Sequence, residues 1–302
     1  MIEAIEYLLF ILIRWIAQQL SYRVVARIGG FLGAVVFRCT NFRKRITIDN
    51  LTKAFPLATP REIHNIALGA YRNYSTALME MLWAGNKPRE VLMGTVRVSN
   101  MEVFNRLFSQ GRGLILLSGH YGNWEFLVVP LRLHINQPLS MIFQHQQNRK
   151  IDTLISEMRC RFENALIPMG PSVREVIRTL KEGKIVLMLG DQSGPRESAI
   201  IDFFGRPTAT RRGPAVFCLK TGAPIAMVFM VRQPDGTYVA TFETVDMTGL
   251  NCYSEENVVE LTRRHTAILE TYIRRHPDHW LWMHKRWKHT AYFESMAPEE
   301  VE

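Results

Sequence analysis

A chain of 302 residues, 47% of them hydrophobic, is long enough to bury a sizeable core as one large domain or two modest ones, which excludes a disordered protein. Lys and Arg outnumber Asp and Glu by 37 to 28, and the formal charge of +9 favours an anionic partner: nucleic acid, anionic lipid headgroups or an acidic carrier protein. The four cysteines, Cys39, Cys160, Cys218 and Cys252, form no CxxC or Cys/His ligand spacing, which argues against a structural zinc site or disulfide framework and suits a reducing cytoplasm.

The first apolar run extends from Tyr7 to Ala17 and a second from Val24 to Phe37, interrupted by Arg14 and Arg27 respectively. Neither reaches the roughly 20 uninterrupted apolar residues of a spanning helix. Glu3 and Glu6, with no small-residue cleavage site, argue against a signal peptide. A short or tilted anchor and a helical hairpin lying in the interface are the two membrane readings; a pair of ordinary core helices is the soluble alternative. Arg38, Arg43, Lys44 and Arg45 follow at the place where anionic headgroups would sit, which favours a membrane surface and a cytoplasmic position for the rest. Residues 1–42 are therefore expected to form a membrane-associating module, and residues 43–302 a second domain with a helical lead-in (43–112) and an α/β body (113–302).

In the lead-in, Pro60 to Gly85 carries helical periodicity with Pro60 in a favourable first position. From about Gly113 short apolar runs at Leu114–Ser118, Leu139–Phe143, Ile185–Gly190 and Pro224–Val231 predict buried strands. Helical stretches lie between them, near Asn148–Phe162, Ser172–Glu182 and Arg212–Thr221. That alternation predicts an α/β fold with a mostly parallel, helix-covered mixed sheet. A strand at Thr237–Val245, after the turn Pro234-Asp235-Gly236, adds an antiparallel hairpin, and a helix from Glu255 to Arg275 closes the body before Pro277.

Sites in open α/β sheets form beyond the carboxyl ends of strands. His120 lies two residues past the strand Leu114–Ser118, beside Gly119, and Glu125 follows five positions on, about 140° around a continuous helix and so on the wrong face for contact. If His120 instead occupies the turn before the helix, Glu125 in its first turn can point back and accept a proton from one ring nitrogen. The other nitrogen is then free to act as a general base, as acyl transfer to a hydroxyl requires. A satisfied loop histidine is the competing reading. His134, His145, His265 and His289 have no placed partner, and no metal-ligand spacing occurs.

The segment His120-Tyr-Gly-Asn-Trp-Glu125 resembles the His-x4-Glu motif of the glycerolipid acyltransferase superfamily, and the chain is similar to its bacterial lipid A late-acyltransferase branch over most of its length. Arg43-Lys-Arg45, Asn50-Leu51 and Ala54-Phe55-Pro56 match the branch's lead-in; Arg159-Cys-Arg161, Asp191-Gln192 and Phe203-Phe204-Gly205 with Thr210 resemble later motifs; Pro277 to Lys288 resembles its closing signature. The resemblance implies transfer of a fatty acyl chain from an acyl thioester, on acyl carrier protein or acyl-CoA, to a hydroxyl of a glycolipid such as a lipid A precursor. It implies the bacterial inner membrane as location, no cofactor and no nucleic acid. His120 and Glu125 are the implied catalytic pair, and Asn123, Arg159, Arg161, Asp191, Gln192 and Thr210 the implied substrate-binding set. Arg159 is the stronger of the two arginines, as a binder of acceptor phosphate or stabiliser of charge near the acyl carbonyl. Glu163 stands where the family often carries Gly. Asp191 either orders the site, directly or through Arg159, or caps a turn. Phe203 and Phe204 suit an acyl-contacting loop or the core. Trp280, Trp282 and Trp287 among basic residues suit a membrane interface, although Trp280 and Trp282 alternate as buried strand residues would. Another lipid acceptor, a phosphatidylinositol mannoside or a lysophospholipid, and a non-catalytic lipid-binding protein are the alternatives.

Overall fold

The computed structural model describes residues 2–170 and 173–295. Two helices, α1 (Ile2–Gln19) and α2 (Tyr22–Cys39), form an N-terminal hairpin followed by α3 (Lys44–Ala54) and α4 (Pro60–Ala84). Helix α1 buries only Ala17, and Ile5, Leu8, Leu12 and Trp15 point outward along one face. Helix α2 lies against α4 because Gly29 and Gly33 let the backbones meet: a Cβ at Gly29 would come 2.6 Å from Thr76 Cα, and one at Gly33 2.3 Å from the Tyr71 carbonyl oxygen. Helix α4 starts on a capping box, with Glu62 N–H donating to the Thr59 hydroxyl and Thr59 N–H to the Glu62 carboxylate at 2.7 Å. Among the described residues no single helix is long and apolar enough to cross a membrane; α2 and α3, bent by 95°, meet that length and composition only as a pair.

The remaining elements are α5 (Arg89–Met93), β1 (Val96–Val98), α6 (Met101–Phe108), β2 (Leu114–Ser118), a 3-10 turn (Trp124–Leu127), α7 (Pro130–Ile135), β3 (Leu139–Phe143), α8 (Arg149–Arg159), β4 (Ala165–Pro168), α9 (Val173–Lys181), β5 (Ile185–Leu189), β6 (Ala199–Asp202), β7 (Pro207–Thr210), α10 (Gly213–Thr221), β8 (Ile225–Arg232), β9 (Tyr238–Thr244), α11 (Glu255–Arg275) and α12 (Thr290–Glu294). Seven strands form one sheet in the order β1-β9-β8-β2-β5-β3-β4, parallel throughout except for the β8–β9 hairpin. Every residue of β2 is buried, as expected of a central parallel strand covered on both faces. Strands β6 and β7 make a separate antiparallel pair.

The expected α/β class and strands are present, with β1, β4 and the β6–β7 pair in addition. The expected helix through Phe162 stops at Arg159, because Phe162 and Glu163 take left-handed backbone angles (φ 59° and 68°). Glu163 thus holds a conformation that glycine adopts without steric cost. Ser172, the expected start of the next helix, lies outside the described residues. The aromatics near the end are core residues: Trp280, Trp282 and Trp287 are buried, packed edge-on or stacked against buried Phe203 and Phe204, because the closing segment runs under the β6–β7 pair instead of along an interface.

Candidate active site

Strands β2 and β5 are adjacent and parallel, with Ser118 opposite Leu189, so the residues just beyond their ends emerge side by side. Gly190 N–H donates to the Ser118 carbonyl at 2.9 Å, and one step further His120 meets Asp191. Both ends of the carboxylate are used. His120 Nδ1 lies 2.8 Å from Asp191 Oδ1, and the His120 backbone N–H donates to Oδ2 at 2.8 Å. Trp280 Nε1 donates to the same Oδ2, also at 2.8 Å. Although burial works against its charge, His120 with these hydrogen bonds holds Asp191 well below the usual carboxylate range. Burial likewise opposes the imidazolium, but Asp191, and after it Glu125, outweigh burial and raise His120 above its ordinary value. An anionic Asp191 requires the proton on Nδ1, leaving Nε2 as the acceptor nitrogen.

The loop carrying His120 is fixed on several sides. Gly122 has φ 57°, and a Cβ there would sit 1.8 Å from the Met230 carbonyl oxygen, so no other residue fits. Its N–H donates to the His279 carbonyl at 2.8 Å. Asn123 caps the 3-10 turn by accepting from Phe126 N–H and donates to Glu80 Oε2 at 2.8 Å. Glu80, fully buried, also accepts from both terminal nitrogens of Arg232 and from the Tyr238 hydroxyl.

Glu125 does not reach the ring nitrogen of His120. The 3-10 turn directs it to Arg159 at the end of α8, whose Nε and Nη2 donate to its two oxygens at 3.0 and 2.6 Å. The carboxylate hydrogen-bonded to His120 belongs to Asp191, because strand register brings it there while the turn carries Glu125 past. Burial disfavours the Arg159 charge, yet Glu125 overcomes it and raises Arg159 further.

His120, Glu125, Arg159 and Gln192 line a cavity of about 600 Å³ whose walls include Met141, Phe143, Met188 and Phe217. Arg211 and Arg212, which follow β7, lie at the same cavity. Three candidates lie elsewhere. Asn123 is buried in the Glu80 network. Arg161, beyond the end of α8 at Arg159, donates to the carbonyls of Ala84 and Lys87 at 2.7 Å each. Thr210 is fully buried and accepts from Arg286 Nη2 at 2.6 Å. Two residues that the sequence reading did not connect to the site border it from the closing segment: Trp280, and His284, whose Nε2 accepts from Ser193 N–H and which burial pushes down to about 4. The only sequence signal for them is the dense aromatic and basic pattern of that segment. Among the described residues no group of three His, Cys, Asp or Glu side chains could hold a metal ion.

A carboxylate-backed imidazole and an arginine lining one cavity with apolar side chains in its walls fit the chemistry of enzymes that move acyl groups to oxygen. Residues 1–289 match the bacterial lipid A biosynthesis acyltransferase family, and the chain belongs to that family and is an O-acyltransferase. It is 26% identical over 276 residues to the lipid A biosynthesis palmitoleoyltransferase of Escherichia coli (strain K12), covering 91% of this chain and 88% of that one. To the lipid A biosynthesis lauroyltransferase of the same organism it is 26% identical over 277 residues, with the same shares. A phosphatidylinositol mannoside acyltransferase of Mycolicibacterium smegmatis is 22% identical over 181 residues, 59% of this chain and 57% of the relative.

Proposed function

We propose that the protein transfers a fatty acyl chain from an acyl thioester, carried by acyl carrier protein, to a hydroxyl of a lipid A precursor, with His120 as general base. The observation that carries this reading is the His120–Asp191 pair at the cavity: Nδ1 is committed to the carboxylate, so Nε2 can take the proton of an incoming hydroxyl. As that oxygen attacks the thioester carbon, Asp191 stabilises the forming imidazolium. Arg159 stabilises the negative charge that develops on the carbonyl oxygen, or holds an acceptor phosphate, and Glu125 fixes its fork. Collapse of the tetrahedral intermediate expels the thiolate, which recovers the proton from His120. Gln192 contributes to acceptor binding from the cavity wall. A cavity of about 600 Å³ with apolar walls suits one acyl chain.

Relatives named for lipid A acylation and covered over most of their length support the acceptor. The formal charge of +9 suits an acidic carrier protein and a phosphorylated acceptor alike. The outward apolar face of α1 supports attachment to a membrane surface, which this reading takes to be the cytoplasmic face of the inner membrane. Asn148 Nδ2 donates to the Glu3 carbonyl at 2.8 Å, so that face begins beside the loop with Gln144 and Gln146 that edges the cavity. An acceptor held in the bilayer would reach His120 from that side. The mycobacterial relative supports a second reading, acylation of a phosphatidylinositol mannoside. Incubating the purified protein with acyl carrier protein thioesters and each acceptor, and reading products by mass, decides between them. Acylated lipid A precursor alone is the expected result; a mannoside product, or donor binding without turnover, contradicts it.

A further inference from the structure

The carboxylate behind His120 has a second anchor that the reaction scheme does not use. Trp280 is buried, and its indole N–H donates to Asp191 Oδ2 at 2.8 Å, the oxygen that also receives the His120 backbone N–H. The ring is held in place by Phe203 and Trp282, at centroid distances of 5.7 and 4.7 Å and steep angles. Its backbone is tied to the same loop: Trp280 bridges Tyr121, Leu281 N–H donates to the His120 carbonyl at 3.0 Å, and the preceding His279 carbonyl receives Gly122 N–H. The closing segment therefore grips both halves of the pair at once, His120 through the main chain and Asp191 through the indole.

We infer that Trp280 is a positioning residue for acyl transfer, its indole N–H fixing the orientation and charge of the Asp191 carboxylate that orders His120. This rests on the reading of His120 as the base. A carboxylate rotating about its Cβ–Cγ bond would lose the in-plane approach to Nδ1, and a buried anion short of one donor is poorly satisfied. With both Oδ2 donors present, Asp191 can neither rotate nor take a proton, and Oδ1 stays on the ring. Burial alone does not account for the arrangement, since packing the aromatic cluster does not require an N–H aimed at Asp191.

The test removes the donor and keeps the shape. Trp280 is replaced by benzothienylalanine, which has sulfur in place of the ring N–H, and separately Trp280→Phe is made; both are compared with wild type and His120→Ala. Losing one charge-assisted hydrogen bond should lower kcat about tenfold in the benzothienyl variant, with KM unchanged and the protein still folded at the assay temperature, its melting temperature lowered by the loss of that bond. The acid limb of its pH profile should also move to higher pH, because charge no longer shared with the indole acts more strongly on the imidazolium. Glu125, Arg159, His284 and Arg286, the other charged or titratable groups facing the pair, are the same in all variants. A benzothienyl variant with wild-type kcat and pH profile, beside an inactive His120→Ala, would overturn this inference alone, and so would loss of activity confined to Trp280→Phe. An active His120→Ala would overturn the base assignment beneath it.

Discussion

Arg159 grips Glu125 with two parallel hydrogen bonds, Nε to Oε2 at 3.0 Å and Nη2 to Oε1 at 2.6 Å, between side chains that are 14% and 7% exposed. Fork-to-fork geometry of this kind fixes the plane of the guanidinium as well as its position, and a lysine cannot reproduce it. Removing one partner strands the other charge away from water. Glu125→Ala or Arg159→Ala should therefore each destabilise the fold by about 3–5 kcal/mol and abolish transfer. The double variant should cost far less stability than the sum, which urea melts of all four proteins measure. Additive losses would show that the two do not act as a unit.

The raised pKa of His120 has a definite sign in the kinetics. A base works only when neutral, so activity should rise with pH through a value above the usual 6.5 or so. Asp191→Asn removes the largest charge supporting the imidazolium and leaves burial opposing it. Its acid limb should move to lower pH, with kcat reduced by about 10²–10⁴ because the ring loses its tautomer and orientation. A pH series of kcat for both proteins checks this. The shifts also set stability: the depressed Asp191 contributes above about pH 3.9 and its contribution is lost as pH falls through the folded value, while the raised His120 contributes below about pH 6.5 and loses its contribution as pH rises through its own.

What could be read in the sequence followed from local chemistry. The apolar run Leu114–Ser118 can hardly be anything but a buried strand, and His120 after it stood out as a strand-end group. The partner of His120 is not readable in the sequence, since it depends on Ser118 pairing with Leu189, 71 positions away, and the motif resemblance offers Glu125 instead. Strands β6 and β7 carry little sequence pattern because each is four residues long and only β6 alternates in burial. Arg159 and Arg161 part because α8 ends between them, which leaves Arg159 facing Glu125 and Arg161 on carbonyls at and just past the end of α4. Thr210 and Asn123 were plausible polar candidates whose burial only the tertiary packing decides.

Glu80 holds the active-site loop from behind. It receives Arg232, Tyr238 and Asn123 in a fully buried position, so Glu80→Ala leaves a largely buried guanidinium unpaired. A loss of about 3–5 kcal/mol is expected, with Arg232→Ala similar. Thermal melts and amide exchange across residues 119–127 would report it; an unchanged melting temperature would mean the network is dispensable.

Along α1, Ile5, Leu8, Leu12 and Trp15 recur at helical spacing on the outward face. Because Leu8 and Leu12 are 65% and 52% exposed, Leu8→Glu with Leu12→Glu should leave folding intact. Each leucine withdrawn from the bilayer forfeits about 1.5–3 kcal/mol, so co-sedimentation with anionic vesicles should fall at least tenfold. Undiminished binding would place the membrane contact elsewhere.

The most direct test is single-turnover acyl transfer to a lipid A precursor, followed by mass, comparing wild type with His120→Ala confirmed as folded by circular dichroism. The expected result is acylated product from wild type and a rate at least about 10³-fold lower from the variant. Transfer by His120→Ala at the wild-type rate would contradict the assignment of His120 as the base.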